Sequence, residues 1–151
     1  MTNNRPKHFS FAQFPIQDHC IQIGGIPLTR LTQRIGSTPY YAYDRKLIAE
    51  RITSLRQCLP SRIKLHYAMK ANPMPAIVQH IAGLVDGIDV ASLGEMKVAL
   101  DTLMSPSKIS FAGPGKNEHE ISCAVAAGIV INIESELDLD RIVALAEHLG
   151  I

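Results

Sequence analysis

The chain has 151 residues, of which 46% are hydrophobic and 19% charged, with a formal net charge of +1. That length suits one domain with a real core, and the near-neutral balance gives no electrostatic ground for binding nucleic acid or an anionic membrane surface. Three cysteines, Cys20, Cys58 and Cys123, lie far apart without metal-ligand spacing, so neither a disulfide framework nor a metal site is expected and a reducing cytoplasm fits. Residues Met1 to Ser10 are polar and lack the apolar core of a signal peptide, and no apolar run reaches membrane-spanning length.

Met1 to about Cys20 carries three phenylalanines without a sustained period, and a loose start is expected there. Ile21-Gln22-Ile23, Gly24-Gly25 and Ile26-Pro27-Leu28 predict a strand, a turn and a second short strand. Tyr40 to Tyr43 reads as another short strand. Asp44 then suits the N-cap of a helix with Leu47, Ile48, Ile52 and Leu55 on its apolar face, ended by Pro60.

From Ile63 the pattern becomes regular. Ile63, Leu65, Tyr67 and Met69 alternate with Lys64, His66, Ala68 and Lys70, which predicts a strand with Lys70 at its C-terminal end, opposite the bulky residues. Asn72-Pro73 stops it. Strands centred near Tyr67, Asp89, Ser110 and Ile131 are 22, 21 and 21 residues apart. Helices fill the gaps. Pro75 suits a first helical turn, followed by Ile77, Val78, Ile81, Leu84 and Val85 on one side. Ser92-x-x-Glu95 is a capping box ahead of Met96, Val98, Ala99, Leu100 and Leu103. Asn117-x-x-Glu120 opens the next helix, which Gly128 ends. Ser135-x-x-Asp138 opens the last, with Ile142, Val143, Leu145, Ala146 and Leu149 inward and Gly150 at the C-cap.

Strand-helix repeats this short require parallel strands with right-handed crossovers, either closed into a barrel or laid out as an open doubly wound sheet. An eight-fold barrel needs roughly 200 residues or more. Four units in 151 residues therefore predict an α/β chain that is the front portion of a longer barrel, truncated, with two exposed strand edges. The face shared with Lys70 reads His66, Ala68; Gly87, Asp89, Ala91; Ser110, Ala112; and Val130, Asn132, Glu134. Small and polar residues there suit a ligand site at the strand C-termini, although a one-residue slip would reverse the faces.

An amine on a rigid strand end is placed for Schiff-base chemistry, which calls for a partly desolvated setting. Taken alone, the stretch fits a solvent-seeking surface lysine better, those being far commoner. Asp89 shares the face of Lys70 and reads either as a site carboxylate or as a local turn acceptor. Glu95 is explained by its capping box without a ligand, and His66 reads as a buried histidine bonded to its neighbours. Asn132 and Glu134 could line the site, with capping or solvent exposure the simpler account. Gly113-Pro114-Gly115-Lys116 lacks P-loop spacing and reads as a tight turn into a helix.

Tyr67-Ala68-Met69-Lys70-Ala71-Asn72 resembles the cofactor-lysine motif of the diaminopimelate/ornithine decarboxylase family. Gly87-Ile88-Asp89-Val90-Ala91-Ser92-Leu93-Gly94-Glu95, Ile109-Ser110-Phe111-Ala112-Gly113-Pro114-Gly115-Lys116 and Asn132-Ile133-Glu134-Ser135 resemble its next three strand-end motifs, in order, and Thr38 to Asp44 its segment before the barrel. The wording around Lys70 and Gly113 most resembles the branch associated with bacterial exosortase A systems.

The resemblance implies a pyridoxal phosphate (PLP)-binding (β/α)₈ barrel of the TIM type over 39–151, incomplete, and an N-terminal segment over 1–38 contributing to a separate β-domain. It implies that Lys70 carries PLP as a Schiff base, displaced by an amino-acid substrate that then loses its α-carboxylate as CO₂. Asp89 and Glu95 match the family's acidic residues beside the cofactor. The family's glycine-rich phosphate loop, its acidic partner of the pyridine nitrogen and its specificity residues come later in the chain. Its active sites form between the two subunits of a homodimer. The expectation is thus a cytoplasmic, PLP-dependent decarboxylase of a basic or dicarboxylic amino acid as the intact parent, with this piece inactive alone. The alternatives are a non-catalytic decarboxylase-like regulator and an alanine-racemase-like PLP protein. The Asp-Val-Ala-Ser-x-Gly-Glu run disfavours the second of these.

Overall fold

The structure is a computed structural model that describes residues 13–150. The expected loose start and the first two phenylalanines, Phe9 and Phe11, lie outside the described residues. Two compact units are divided between Glu50 and Arg51.

The first unit holds a three-stranded antiparallel sheet, β1 (Ile16–Gln17), β2 (Cys20–Ile23) and β3 (Ile26–Pro27), in that order, followed by helix α1 (Leu28–Ile35). Ile23 pairs with Ile26 across Gly24 (φ 58°) and Gly25 (φ 73°). Both turn residues need a left-handed backbone, which glycine adopts without a side-chain clash, so the expected hairpin forms. Leu28 opens α1 rather than ending a strand, and Leu28, Leu31 and Ile35 carry the helical spacing. Tyr40 to Tyr43 is not a strand. Its residues are held by side chains instead: Tyr40 Oη lies 2.8 Å from Thr32 Oγ1, and the rings of Tyr41 and Tyr43 stack 6.3 Å apart. Strand-like composition makes no strand without a ladder partner. Asp44 caps helix α2 (Arg45–Cys58) as expected, its Oδ1 accepting from Lys46 N at 2.9 Å. Its Oδ2 accepts from Gly24 N at 2.9 Å, tying the hairpin to the helix start.

The second unit is the repeat read from the sequence: β4 (His66–Ala68), α3 (Pro75–Ala82), β5 (Gly87–Val90), α4 (Leu93–Leu100), β6 (Ile109–Phe111), α5 (Glu118–Ala127), β7 (Val130–Ile131) and α6 (Glu136–Leu149). The strands are parallel and adjacent in chain order, β4-β5-β6-β7. Met69, Ile88, Val90, Ile109 and Phe111 are at most 1% exposed and meet Val78 of α3, Met96 and Ala99 of α4 and Ala124 of α5 in one core. The bulky parity of every strand therefore faces helices, and the small or polar parity faces away. Among the described residues no helix is long and apolar enough to cross a membrane.

Caps fix the helix starts. Asn117 and Glu120 form the full reciprocal box, while Ser92 and Ser135 accept from the amides of Glu95 and Asp138. Glu95 differs from expectation: its carboxylate accepts from Ala91 N at 2.7 Å, one residue before the N-cap. Leu103, expected inward, is 98% exposed. Helix α4 ends at Leu100, and Thr102 then turns the chain by donating to Ala99 O and accepting from Met104 N, which puts Leu103 at the apex. Val143 and Leu149 are also exposed, because the apolar stripe of α6 that is covered runs through Ile142, Leu145 and Ala146.

Candidate functional site

Strand β4 is shorter than its alternation predicts. It stops at Ala68, and Lys70 sits in a single 3-10 turn, Met69–Ala71, closed by Asn72 N donating to Met69 O at 3.0 Å. Tyr67 Oη donates to Asn72 O at 3.0 Å and pins the far side of that turn. Met69 is fully buried beneath the turn, so Lys70 still projects from the open face. Its side chain is exposed rather than half-desolvated, since these four strands wall the face on one side only. Among the described residues no hydrogen bond or ion pair engages its ammonium.

The register sets Ala68, Asp89, Ser110 and Val130 side by side across the four strands. Just above that row lies a cavity of about 450 Å³, lined by Ala68, Lys70, Asp89, Ala91, Ala112 and Asn132 with the Gly113-Pro114 turn. Three alanines leave the space, and Lys70, Asp89 and Asn132 supply the polarity. Asp89 Oδ1 accepts from Ser110 Oγ and lies 3.0 Å from His66 Nδ1. His66 is therefore not the buried residue expected. Its imidazole lies over Gly87, where an added Cβ would sit 2.6 Å from His66 Cε1 and 2.6 Å from Lys108 O. The alternation that marks Asp89 marks His66 and Ser110 equally, but it does not show that both side chains meet one carboxylate oxygen.

The remaining carboxylates of the strand tops brace backbone. Glu95, held by its bond to Ala91 N, does not line the cavity. Glu134 Oε1 accepts from Gly113 N at 2.6 Å, and Glu120 Oε1 accepts from Leu93 N at 3.0 Å. Lys116 holds the other side of Gly113, its Nζ donating to Gly113 O at 2.6 Å. Its ammonium, 1% exposed, pairs at 3.2 Å with Asp138, 6% exposed. The Lys116 hydrogen bond holds the Asp138 carboxyl below its usual range against the opposing effect of burial. The Gly-Pro-Gly-Lys turn thus carries a buried ion pair, a tie invisible to local pattern because its partners are on different β/α units.

The arrangement is a β/α sheet presenting a primary amine without a partner among the described residues, and a carboxylate, to one cavity at the strand C-termini. An amine so placed could hold a carbonyl compound. Residues 45–150 match the family described as pyridoxal-dependent decarboxylase, pyridoxal binding domain. The chain belongs to that family, whose cofactor is PLP. It is 37% identical over 129 residues to diaminopimelate decarboxylase of Aquifex aeolicus, covering 85% of this chain and 30% of that one. It is 36% identical over 109 residues to 2-[(L-alanin-3-ylcarbamoyl)methyl]-2-hydroxybutanedioate decarboxylase of Staphylococcus aureus, covering 72% and 27%. The crystal structure of diaminopimelate decarboxylase from Helicobacter pylori complexed with L-lysine superposes with a TM-score of 0.74 at 34% identity, covering 82% of this chain and 32% of that one. The chain thus spans about a third or less of the length of these relatives.

The residues present fit the aldehyde end of the cofactor: a free amine to bond it, a carboxylate facing the same space, and small side chains that admit a ring.

Proposed function

We propose that the protein containing this domain is a PLP-dependent decarboxylase of a basic or dicarboxylic amino acid, with Lys70 as the residue that holds the cofactor. The reading is carried by one observation: the Lys70 amine, without a partner among the described residues, opens onto the cavity that Asp89 also lines. Family membership and the decarboxylase names of the relatives support it. Two relatives of nearly equal identity bear different substrate names, so identity alone does not select the substrate. The L-lysine in the Helicobacter pylori complex is what remains when diaminopimelate loses one carboxylate, which favours the diaminopimelate type.

When bound, PLP supplies the sink for the electron pair left behind as CO₂ departs. Lys70 Nζ would hold the cofactor at its aldehyde end. Asp89 would place a carboxylate beside the cofactor in the same cavity. Glu95 contributes by holding Ala91, whose side chain lines the cavity wall. The intact protein is proposed to be a cytoplasmic homodimer.

Two measurements test this. Incubation with PLP, borohydride reduction and peptide mass analysis should find the added mass on Lys70 and none in Lys70→Ala; labelling elsewhere with Lys70 unmodified sinks the assignment. With diaminopimelate, ornithine, arginine or lysine, the 151-residue chain alone is expected to release no CO₂, because it brings one wall of a cavity. Robust turnover by it would overturn that expectation.

A further inference from the structure

We propose that His66 and Ser110 are positioning residues that fix the Asp89 carboxylate in the cavity that Lys70 also lines, an inference that rests on the cofactor reading of Lys70. An ionised carboxylate only accepts hydrogen bonds, so both His66 Nδ1 and Ser110 Oγ must donate to Asp89. Both reach the same oxygen, Oδ1, from opposite sides: His66 at 3.0 Å from β4, Ser110 from β6. Oδ2 has no partner among the described residues and is left for the occupant of the cavity.

The geometry makes this a built arrangement and not a chance contact. Ser110 is the direct cross-strand partner of Asp89, whereas His66 pairs with Gly87, two residues earlier, and reaches Asp89 along the diagonal. That diagonal is open only because position 87 has no side chain: a Cβ there would lie 2.7 Å from His66 Nε2. With its side chain 41% exposed, Asp89 would otherwise sample several rotamers. Two donors from the flanking strands select one. His66 Nδ1 can donate both as the Nδ1–H tautomer and as imidazolium, so the contact does not depend on its charge.

The titratable groups around Asp89 are few. His66 stands on β4 and Lys70 on the turn beyond it. The neighbouring carboxylates, Glu95 of α4 and Glu134 after β7, are committed to the amides of Ala91 and Gly113. Asp89 is thus the carboxylate that lines the cavity together with Lys70. A carboxylate held there favours the protonated form of the PLP adduct on Lys70, which keeps its visible band to higher pH. Loosening Asp89 removes part of that effect.

The experiment uses the full chain with PLP as the probe. It reads the pH midpoint of the visible band, with borohydride labelling at Lys70 as an independent measure. In Ser110→Ala and His66→Leu the midpoint should fall by about one pH unit, approaching Asp89→Asn. His66→Asn, whose amide can donate from nearly the position of Nδ1, should recover most of the shift. A general loss of packing would weaken labelling without moving the midpoint and without rescue. If His66→Leu does not fold, Ser110→Ala, which removes one oxygen, decides alone. Wild type that labels at Lys70, with unchanged midpoints in the folded variants, overturns this proposal and leaves the cofactor reading standing. Wild type that shows neither band nor label overturns both.

Discussion

The two faces of the β4–β7 sheet share strands and register yet obey opposite rules. On the helix side, volume decides: Ile88, Val90, Ile109 and Phe111 are sealed against α3, α4 and α5. On the open side, the corresponding positions are Gly87, Asp89, Ala91, Ser110 and Ala112, which fill little space, and of which Asp89 and Ser110 make specific polar contacts. A parallel strand reverses its side chain at every residue, so each strand can optimise stability at one parity and chemistry at the other with little conflict. Substitutions on the first face should move stability, and on the second, chemistry.

The largest stability effect is expected at Phe111. Replacing it with alanine empties the centre of the core and should lower unfolding free energy by about 3–5 kcal/mol, read from a urea midpoint. A loss under about 1 kcal/mol would mean the core is not where the fold is held. Gly87→Ala comes next and tests whether the open face tolerates bulk. Its Cβ would meet a backbone oxygen, Lys108 O, at 2.6 Å, which cannot swing aside as a side chain could. Overpacking of that kind costs about 1–3 kcal/mol. Ser92→Ala removes the N-cap of α4 and should cost about 1 kcal/mol in the same measurement.

A fourth prediction concerns the sheet's lower end, which belongs to neither face. Asp86 accepts from Leu65 N at 2.7 Å and pairs with Arg56. The Arg56 hydrogen bond, then the Leu65 amide, hold its carboxyl down to about 2 from an ordinary 3.8. The folded value lies below the unfolded one, so the contribution is fully present above about pH 4 and fades as pH falls toward 2. Arg56→Met should therefore reduce stability at neutral pH and flatten the acid limb of the stability curve between those values. An unchanged acid limb would assign the acid sensitivity to other carboxylates.

The division into faces was legible because it rests on a period of two, repeated four times at almost constant spacing. The four strand centres, the helix caps at Asn117 and Ser135 and the sharing of one face by Lys70 and Asp89 all follow from local pattern. What depended on partners was not legible. Tyr40 to Tyr43 has strand composition but no ladder. The strand before Lys70 gives way to a 3-10 turn that alternation cannot distinguish from one more strand residue. His66 was read as buried, although a face destined for polar contacts leaves it half open, at 36% side-chain exposure. Lys116 looked like a turn lysine until the fold brought Asp138 against it. The family resemblance carried the cofactor; geometry added what holds Asp89.

The smallest stability effect is expected at Lys70, and it bears hardest on the comparison. Its ammonium has no partner among the described residues and its side chain is exposed, so Lys70→Ala removes no bond and opens no cavity in the core. The unfolding free energy read from urea should stay within about 0.5 kcal/mol of wild type, while PLP labelling at this position disappears entirely. A lysine without a structural partner at the rim of a cavity carries little that the fold needs. Were Lys70→Ala to destabilise the chain as Ser92→Ala does, the lysine would be a structural strut, and the separation of stability from chemistry by strand parity would fail at the residue it should describe best.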